Sequence, residues 1–378
     1  MLSAYTKMLR VFAFPQNLRN NEEIMMKKLM ILLMCVCMLL AGCGQSVGVI
    51  EKEKTVTFTD SLGRTVKVPE KITKIAISGP LSQVYILPLA GDLLVGVSNA
   101  FAENAQAYIS EYILNKTEIG QLYGGKREMD LEALLAADPD VVIDIGQAKG
   151  SMAEDFDSLM QQTGIPFVHI DADVSTAAEA YRILGKLLDR EEKAEKLADW
   201  CESTYANILT LMEKVDTDNA RKTLLYCLGE TGTNVIAEGS FHAQIVNLMS
   251  QNVAVIDEVV SSGDGNQVDL EQILLWNPDV IVFSYDSCYD TVGASSQWKN
   301  VSAIENGTFY EAPYGPYGWL SSPPAVQSYL GMLWLGEILY PDYIEYDLQT
   351  VVTEYYALFY NCKLTDEMYT ELIGDIYT

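Results

Sequence analysis

The residues able to do chemistry in this chain sit in short loops, most of them directly after an apolar strand-like run. Ser78 opens Ser78-Gly79-Pro80-Leu81-Ser82, where proline suits the first turn of a helix and free N–H groups would favour an anionic ligand group. Tyr123-Gly124-Gly125-Lys126 pairs glycines, which let backbone approach a ligand, with a charge on Lys126. Gln147 and Lys149 follow the run ending at Ile145, and Glu230 follows another ending at Leu228. His242 closes Glu238-Gly239-Ser240-Phe241-His242, where it could bond a ligand, ligate iron in a haem-like guest or satisfy local backbone. Tyr285 and Ser287 come after Val282-Phe283. Tyr314-Gly315-Pro316-Tyr317-Gly318-Trp319 places three aromatics among Gly and Pro, a pattern for a stacking wall or for pinning a long loop to the core. On the first reading, Trp319→Ala weakens ligand binding without unfolding the protein.

Other chemistries lack their residues. There is no G-x-S-x-G elbow and no H-E-x-x-H, so no hydrolytic or zinc-protease site is assigned, although a carboxylate enzyme stays open. Two histidines in the whole chain do not make a site for bare zinc or manganese. Gly120 to Lys126 fits the start of a phosphate loop, but Arg127 stands where Ser or Thr would hold magnesium, and nucleotide binding is rejected. No catalytic residue, metal site or cofactor is assigned. Cys201, Cys227, Cys288 and Cys362 are scattered without a C-x-x-C pair and are assigned to packing.

The elements that position these loops alternate strand and helix, which argues for an α/β fold with parallel sheets covered on both faces. Thr55–Asp60 and Thr65–Pro69 read as an opening hairpin around Ser61-Leu62-Gly63-Arg64. Asp130-Leu131-Glu132-Ala133-Leu134-Leu135-Ala136-Ala137-Asp138-Pro139-Asp140-Val141-Val142-Ile143 returns as Asp269 to Val282, with seven of the fourteen positions identical. Each copy caps a helix with Asp, breaks it with Pro and enters a strand through Asp-Val, so two related Rossmann-like lobes follow. Asp189 and Glu192 have capping-box spacing, and a helix from Arg190 to Lys214 would bridge the lobes and favour small hinge motions. In that frame ligands bind beyond the carboxyl ends of the strands.

At 378 residues and 49% apolar composition the chain has room for two domains. Its net charge is −27, and −30 after residue 42, which repels nucleic acid and excludes it as a partner. Lys27-Lys28, the apolar run Leu29–Gly42 and the ending Leu40-Ala41-Gly42-Cys43 read as a secretory signal, with translation starting at Met25 or Met26. The organisation expected is a signal over 1–42, a tether over 43–54, a first lobe over 55–188, a bridging helix over 189–215 and a second lobe over 216–378.

The Leu-Ala-Gly-Cys ending resembles a bacterial lipobox, which implies lipid on Cys43 and a protein anchored outside the cytoplasm. The opening Asp60–Pro69, the helix-Pro-Asp-strand signature at Asp130–Ile143, and Trp298, Tyr310, Gly318-Trp319-Leu320-Ser321-Ser322-Pro323-Pro324, Trp334 and Leu339-Tyr340-Pro341 resemble the substrate-binding proteins of ATP-driven importers for iron-siderophore, haem and cobalamin. The resemblance runs from about Thr55 to the end. It implies a ligand in the cleft between the lobes and a partner permease, with its ATPase, docking on one acidic residue per lobe. Gln83 stands where the family usually has Glu, and Gln244 is the second-lobe counterpart. A ferric chelate is the expected guest, with a corrinoid or haem left open.

Overall fold

The computed structural model describes residues 54–123, 127–321 and 323–374. The signal, Cys43, most of the tether and Lys126 lie outside the described residues. Among the described residues no helix is long and apolar enough to cross a membrane.

The chain opens with the antiparallel hairpin β1 (Thr55–Thr59) and β2 (Thr65–Pro69), in register Thr55↔Pro69 to Thr59↔Thr65. Arg64 ties it down: its guanidinium reaches Asp60 at 2.6 Å, the carbonyl of Phe167 at 2.6 Å and Asp157 at 3.0 Å. The first lobe is a parallel sheet of β3 (Ile75–Ile77), β6 (Val141–Gly146) and β7 (Phe167–Asp171) in the order β3-β6-β7. The short β4 (Gly96–Val97) and β5 (Thr117–Glu118) pair beside it. The second lobe is a six-stranded sheet. Its path is β11 (Asn266–Gln267), β9 (Asn234–Val235), β8 (Thr223–Leu228), β12 (Val280–Phe283) and β13 (Phe309–Glu311), with β10 (Gln251–Asn252) pairing β8 off that path.

The internal repeat is physical. Asp130 caps the helix Leu131–Ala137 by accepting from the N–H groups of Glu132 and Ala133, and Asp269 caps Leu270–Trp276 through the N–H of Gln272. Both helices end in a left-handed residue, Asp138 at φ 49° and Asn277 at φ 41°. Asp and Asn tolerate that region better than other non-glycine residues do. The aspartate after each proline then staples the strand start beside it. Asp140 accepts from the Thr73 and Lys74 N–H groups at 2.6 and 2.9 Å, and Asp279 from the Thr223 N–H at 2.9 Å.

Strand alternation sends every second side chain to a different core. Val141, Ile143 and Ile145 of β6, with Leu224, Tyr226 and Leu228 of β8, enter one continuous hydrophobic cluster that spans both lobes. Val142 joins a cluster private to the first lobe, and Leu225 and Cys227 join one private to the second. The shared cluster is completed by Leu197, Cys201, Ile208 and Val215 of the bridging helix and by Trp334 and Tyr356 near the C-terminus.

That helix spans Glu191–Thr217, 27 residues and about 40 Å at 1.5 Å per residue. The capping box expected at its start is not formed. Asp189 instead ends the preceding helix Ala177–Leu188 in a left-handed turn, and Arg190 occupies the N-cap without a side-chain bond. A tight helix–helix corner thus outcompetes the local capping pattern. Cys201, Cys227, Cys288 and Cys362 are all free thiols.

Candidate functional site

A cavity of about 340 Å³ opens where β8, β12 and β13 end in the second lobe. Its walls include Tyr226, Asn234, Asp264, Tyr285, Asp286 and Tyr314. Each parallel strand delivers its loop to the same edge, as expected for ligand sites in open α/β sheets. The loop after β12 supplies Ser284, Tyr285 and Asp286, and Ser284 steadies it by donating to Asp286 at 2.7 Å. The loop after β13 supplies Tyr314. The Tyr285 and Tyr314 rings stack with centroids 3.8 Å apart. Burial and the neighbouring Tyr285 hold the Tyr314 phenol well above the usual range, so it stays protonated and able to donate. Asn234 donates to the Asp264 carbonyl at 3.1 Å and fixes the far rim. Among the described residues lining this cavity there are two carboxylates and no Lys or Arg.

His242 stands behind that rim, its Cε1 about 3.5 Å from where a side chain on Gly263 would begin. Its Nδ1–H donates to the Ser321 carbonyl at 2.9 Å, because a carbonyl can only accept. Burial lowers the ring's pKa, partly offset by that carbonyl and by Asp264. The imidazole is therefore neutral near pH 7, with its proton on Nδ1.

In the first lobe, Ser78 ends β3 and turns inward. Its hydroxyl donates to Asp144 and contacts the Ser82 hydroxyl at 2.9 Å, while Asp144 meets Nδ1 of His169 at 2.6 Å. Ser, Asp and His are thus gathered as in a hydrolytic triad, but in the wrong order. The carboxylate sits between the other two, so serine has no histidine base to activate it. Ser78 is buried, and its hydroxyl is committed to the core rather than offered to a ligand.

Lys149 remains exposed at the end of β6, with its ammonium 4.3 Å from the Tyr123 ring centroid. Tyr123 in turn donates to Asp155 at 3.1 Å, which fixes the ring beneath the lysine. Partial desolvation on the side facing the Tyr123 ring lowers the Lys149 pKa although the residue is exposed overall, and Asp144 opposes that shift. Gln147 and Glu230 are exposed on their loops.

The aromatic stretch divides. Tyr314 faces the cavity, whereas Tyr317 and Trp319 are buried in the shared core. The expectation that all three form a ligand wall is corrected: the chain doubles back, Trp319 N–H donating to the Pro313 carbonyl at 3.0 Å, so the later residues turn inward. Gln83 is also buried, with its amide bonded to Tyr317 at 2.8 Å, which removes it from any docking surface. Gln244 is half-buried. Sequence reasoning missed Tyr226, Asn234, Asp264 and Asp286. Asp286 carried a signal, since it follows Tyr285 in a strand-end loop; Asp264 arrives from a long irregular loop and carried none.

Two α/β lobes joined by a long helix, with a cavity at the strand ends, have the architecture of a solute-binding protein. The chain belongs to the periplasmic binding protein family, whose profile matches residues 81–314. It is 23% identical over 327 residues to the molybdate-binding protein MolA of Haemophilus influenzae, covering 80% of this chain and 90% of that one. It is 21% identical over 302 residues to the Fe(3+)-citrate-binding protein YfmC of Bacillus subtilis, covering 75% and 88%. Among solved structures, an ABC transporter solute-binding protein from Sulfurospirillum deleyianum superposes with a TM-score of 0.77 at 26% identity, covering 84% of this chain and 98% of that one. The protein is accordingly an extracytoplasmic solute-binding component of an ABC importer.

Proposed function

We propose that the protein captures a ferric chelate of neutral or positive overall charge and hands it to its permease and ATPase, held at the membrane by lipid on Cys43. The lining of the second-lobe cavity carries this reading. Stacked Tyr285 and Tyr314 offer flat faces, and Tyr314 a protonated phenol, to the organic shell of a chelate, while Asp264 and Asp286 give the rim a negative field. The volume, about 340 Å³, falls within the range of about 300–1,000 Å³ usual for small-molecule sites. Lys149, seated over Tyr123, is the first-lobe group suited to an acceptor oxygen on the guest.

The relatives' names point to two guest chemistries, a bare oxyanion and a ferric chelate. A molybdate dianion beside two carboxylates, without lysine or arginine among the lining residues, would meet repulsion rather than charge pairing. Haem or a corrinoid is the alternative within the same machinery, and neutral His242 beside the rim is the observation that favours it.

The test is a binding panel with ferric trihydroxamate, ferric citrate, haem, cobalamin and molybdate. Saturable binding of the ferric hydroxamate ahead of the others supports the proposal. Molybdate binding alone refutes it, and selective haem or cobalamin binding transfers the site to the macrocycle reading. Replacing Cys43 with Ala is expected to release the protein from the membrane fraction; retention there would argue against the lipid anchor.

A further inference from the structure

Gln83 is a polar side chain inside the helix Pro80–Ala90, flanked by Val84, Tyr85 and Ile86, and only 3% exposed. A buried amide needs partners, and all those of Gln83 lie outside its own helix. Its Oε1 accepts from the Ser98 N–H at 2.8 Å and from the Ser98 hydroxyl at 3.2 Å. Its Nε2 donates to the Tyr317 hydroxyl at 2.8 Å, across 234 residues of sequence.

Tyr317 lies in a turn whose ends, Tyr314 and Gly318, both line the cavity and bridge to one another. The turn is closed by the Gly315 N–H donating to the Tyr317 carbonyl at 3.1 Å. Beside the Tyr108 ring, which lies against Gly315, three first-lobe side chains hold this turn. Phe101 packs on the Tyr317 ring with centroids 6.0 Å apart, and Asn104 donates to the Tyr314 carbonyl at 3.1 Å on the surface. The Gln83 bond is the third and the one shielded from water, where an unmade bond costs most.

We propose that Gln83 is a positioning residue for the ligand cavity, its amide clamping Tyr317 so that the Tyr314–Gly318 turn is held in register with the first lobe. Gln83 touches no ligand; it acts through Tyr317 on Tyr314. By linkage, occupation of the cavity that moves Tyr314 also changes the strain on the first-lobe helix. The inference goes beyond the proposed guest and does not depend on what the guest is.

Hydrogen exchange of the full chain, read by mass spectrometry, tests it with Gln83→Ala, Tyr317→Phe and the double variant. Each single change is expected to speed exchange of amides in 312–320 about tenfold, the worth of one buried hydrogen bond. The double variant is expected to exchange no faster than either single one, with the strand amides of 141–146 unchanged throughout. Additive effects, or a change confined to residues around Ser98, would overturn the proposal, because Gln83 would then serve only its own lobe. If Gln83→Ala fails to fold, Tyr317→Phe decides alone: it keeps the ring and removes only the hydroxyl, and unaltered exchange at 312–320 contradicts the clamp. Titration of the same proteins with a ferric trihydroxamate reads the guest separately. Lack of binding by the unmodified protein would sink the guest assignment while leaving the exchange result to judge Gln83.

Discussion

The rings of Tyr285 and Tyr314 lie 3.8 Å apart and 27° from parallel, joining the loop after β12 to the loop after β13 across the mouth of the cavity. Tyr285 is about half exposed, an unusual cost for a large aromatic, and one face of its ring stacks on Tyr314. The pair is a ready surface for the flat organic shell of a chelate.

Tyr285→Ala and Tyr314→Ala are each expected to weaken ferric hydroxamate binding about tenfold, the scale of one lost aromatic contact. Calorimetric titration measures this directly. Thermal unfolding of Tyr285→Ala should stay close to that of the parent because so much of the ring is already in water. Unchanged affinity in both variants would remove the aromatic wall from the account.

Trp319 behaves oppositely. The sequence pattern put it in the ligand wall, but it is fully buried in the core common to both lobes. Trp319→Ala should therefore destabilise by about 3–5 kcal/mol through lost burial and a residual cavity. Urea unfolding provides the check, and a loss below about 1 kcal/mol would mean the core closes around the gap.

Asp144 organises the first-lobe strand ends by accepting from Ser78 and pairing with His169. Asp144→Ala strands the buried His169 ring and leaves the Ser78 hydroxyl with Ser82, and a loss of about 2–4 kcal/mol follows. The same urea series with Ser78→Ala, which removes one partner and leaves the other bond in place, should show a smaller loss. Equal losses would mean that His169 contributes nothing to the network.

His242 makes stability depend on pH. Its folded pKa is lowered by burial, so the folded state binds fewer protons there than the unfolded chain. The contribution is complete above the ordinary histidine pKa of about 6.5 and is lost as pH falls through the lower folded value. Unfolding midpoints compared at pH 7.5 and 5.5 should drop less in His242→Asn than in the parent. An identical drop would place the acid sensitivity elsewhere.

The parts legible in sequence are those encoded within a few residues of one another. Asp130 with Pro139 and Asp269 with Pro278 announce the same capped helix and following strand twice, because capping and helix breaking are local chemistry. Tyr285 and Tyr314 were reachable by the strand-end rule. Burial within a loop was not: Tyr314 and Trp319 are five residues apart in one Gly- and Pro-rich run, and only the reversal of the chain between them sends one to the cavity and the other to the core. Gln83 stands where the family resemblance implies an acidic docking residue, and its true partner lies too far along the chain for any local pattern to reveal. The failed capping box at Asp189 teaches the same lesson at a helix corner, where two helices compete for one residue.

The most direct test of the central claim is calorimetric titration of the protein with a ferric trihydroxamate, using the iron-free hydroxamate as its control. With a trihydroxamate whose ferric complex is neutral, the account predicts saturable one-site binding at micromolar affinity or tighter, little changed by added salt because the guest carries no net charge to screen. No heat from the ferric complex, together with tight binding of molybdate by the same folded protein, would contradict it.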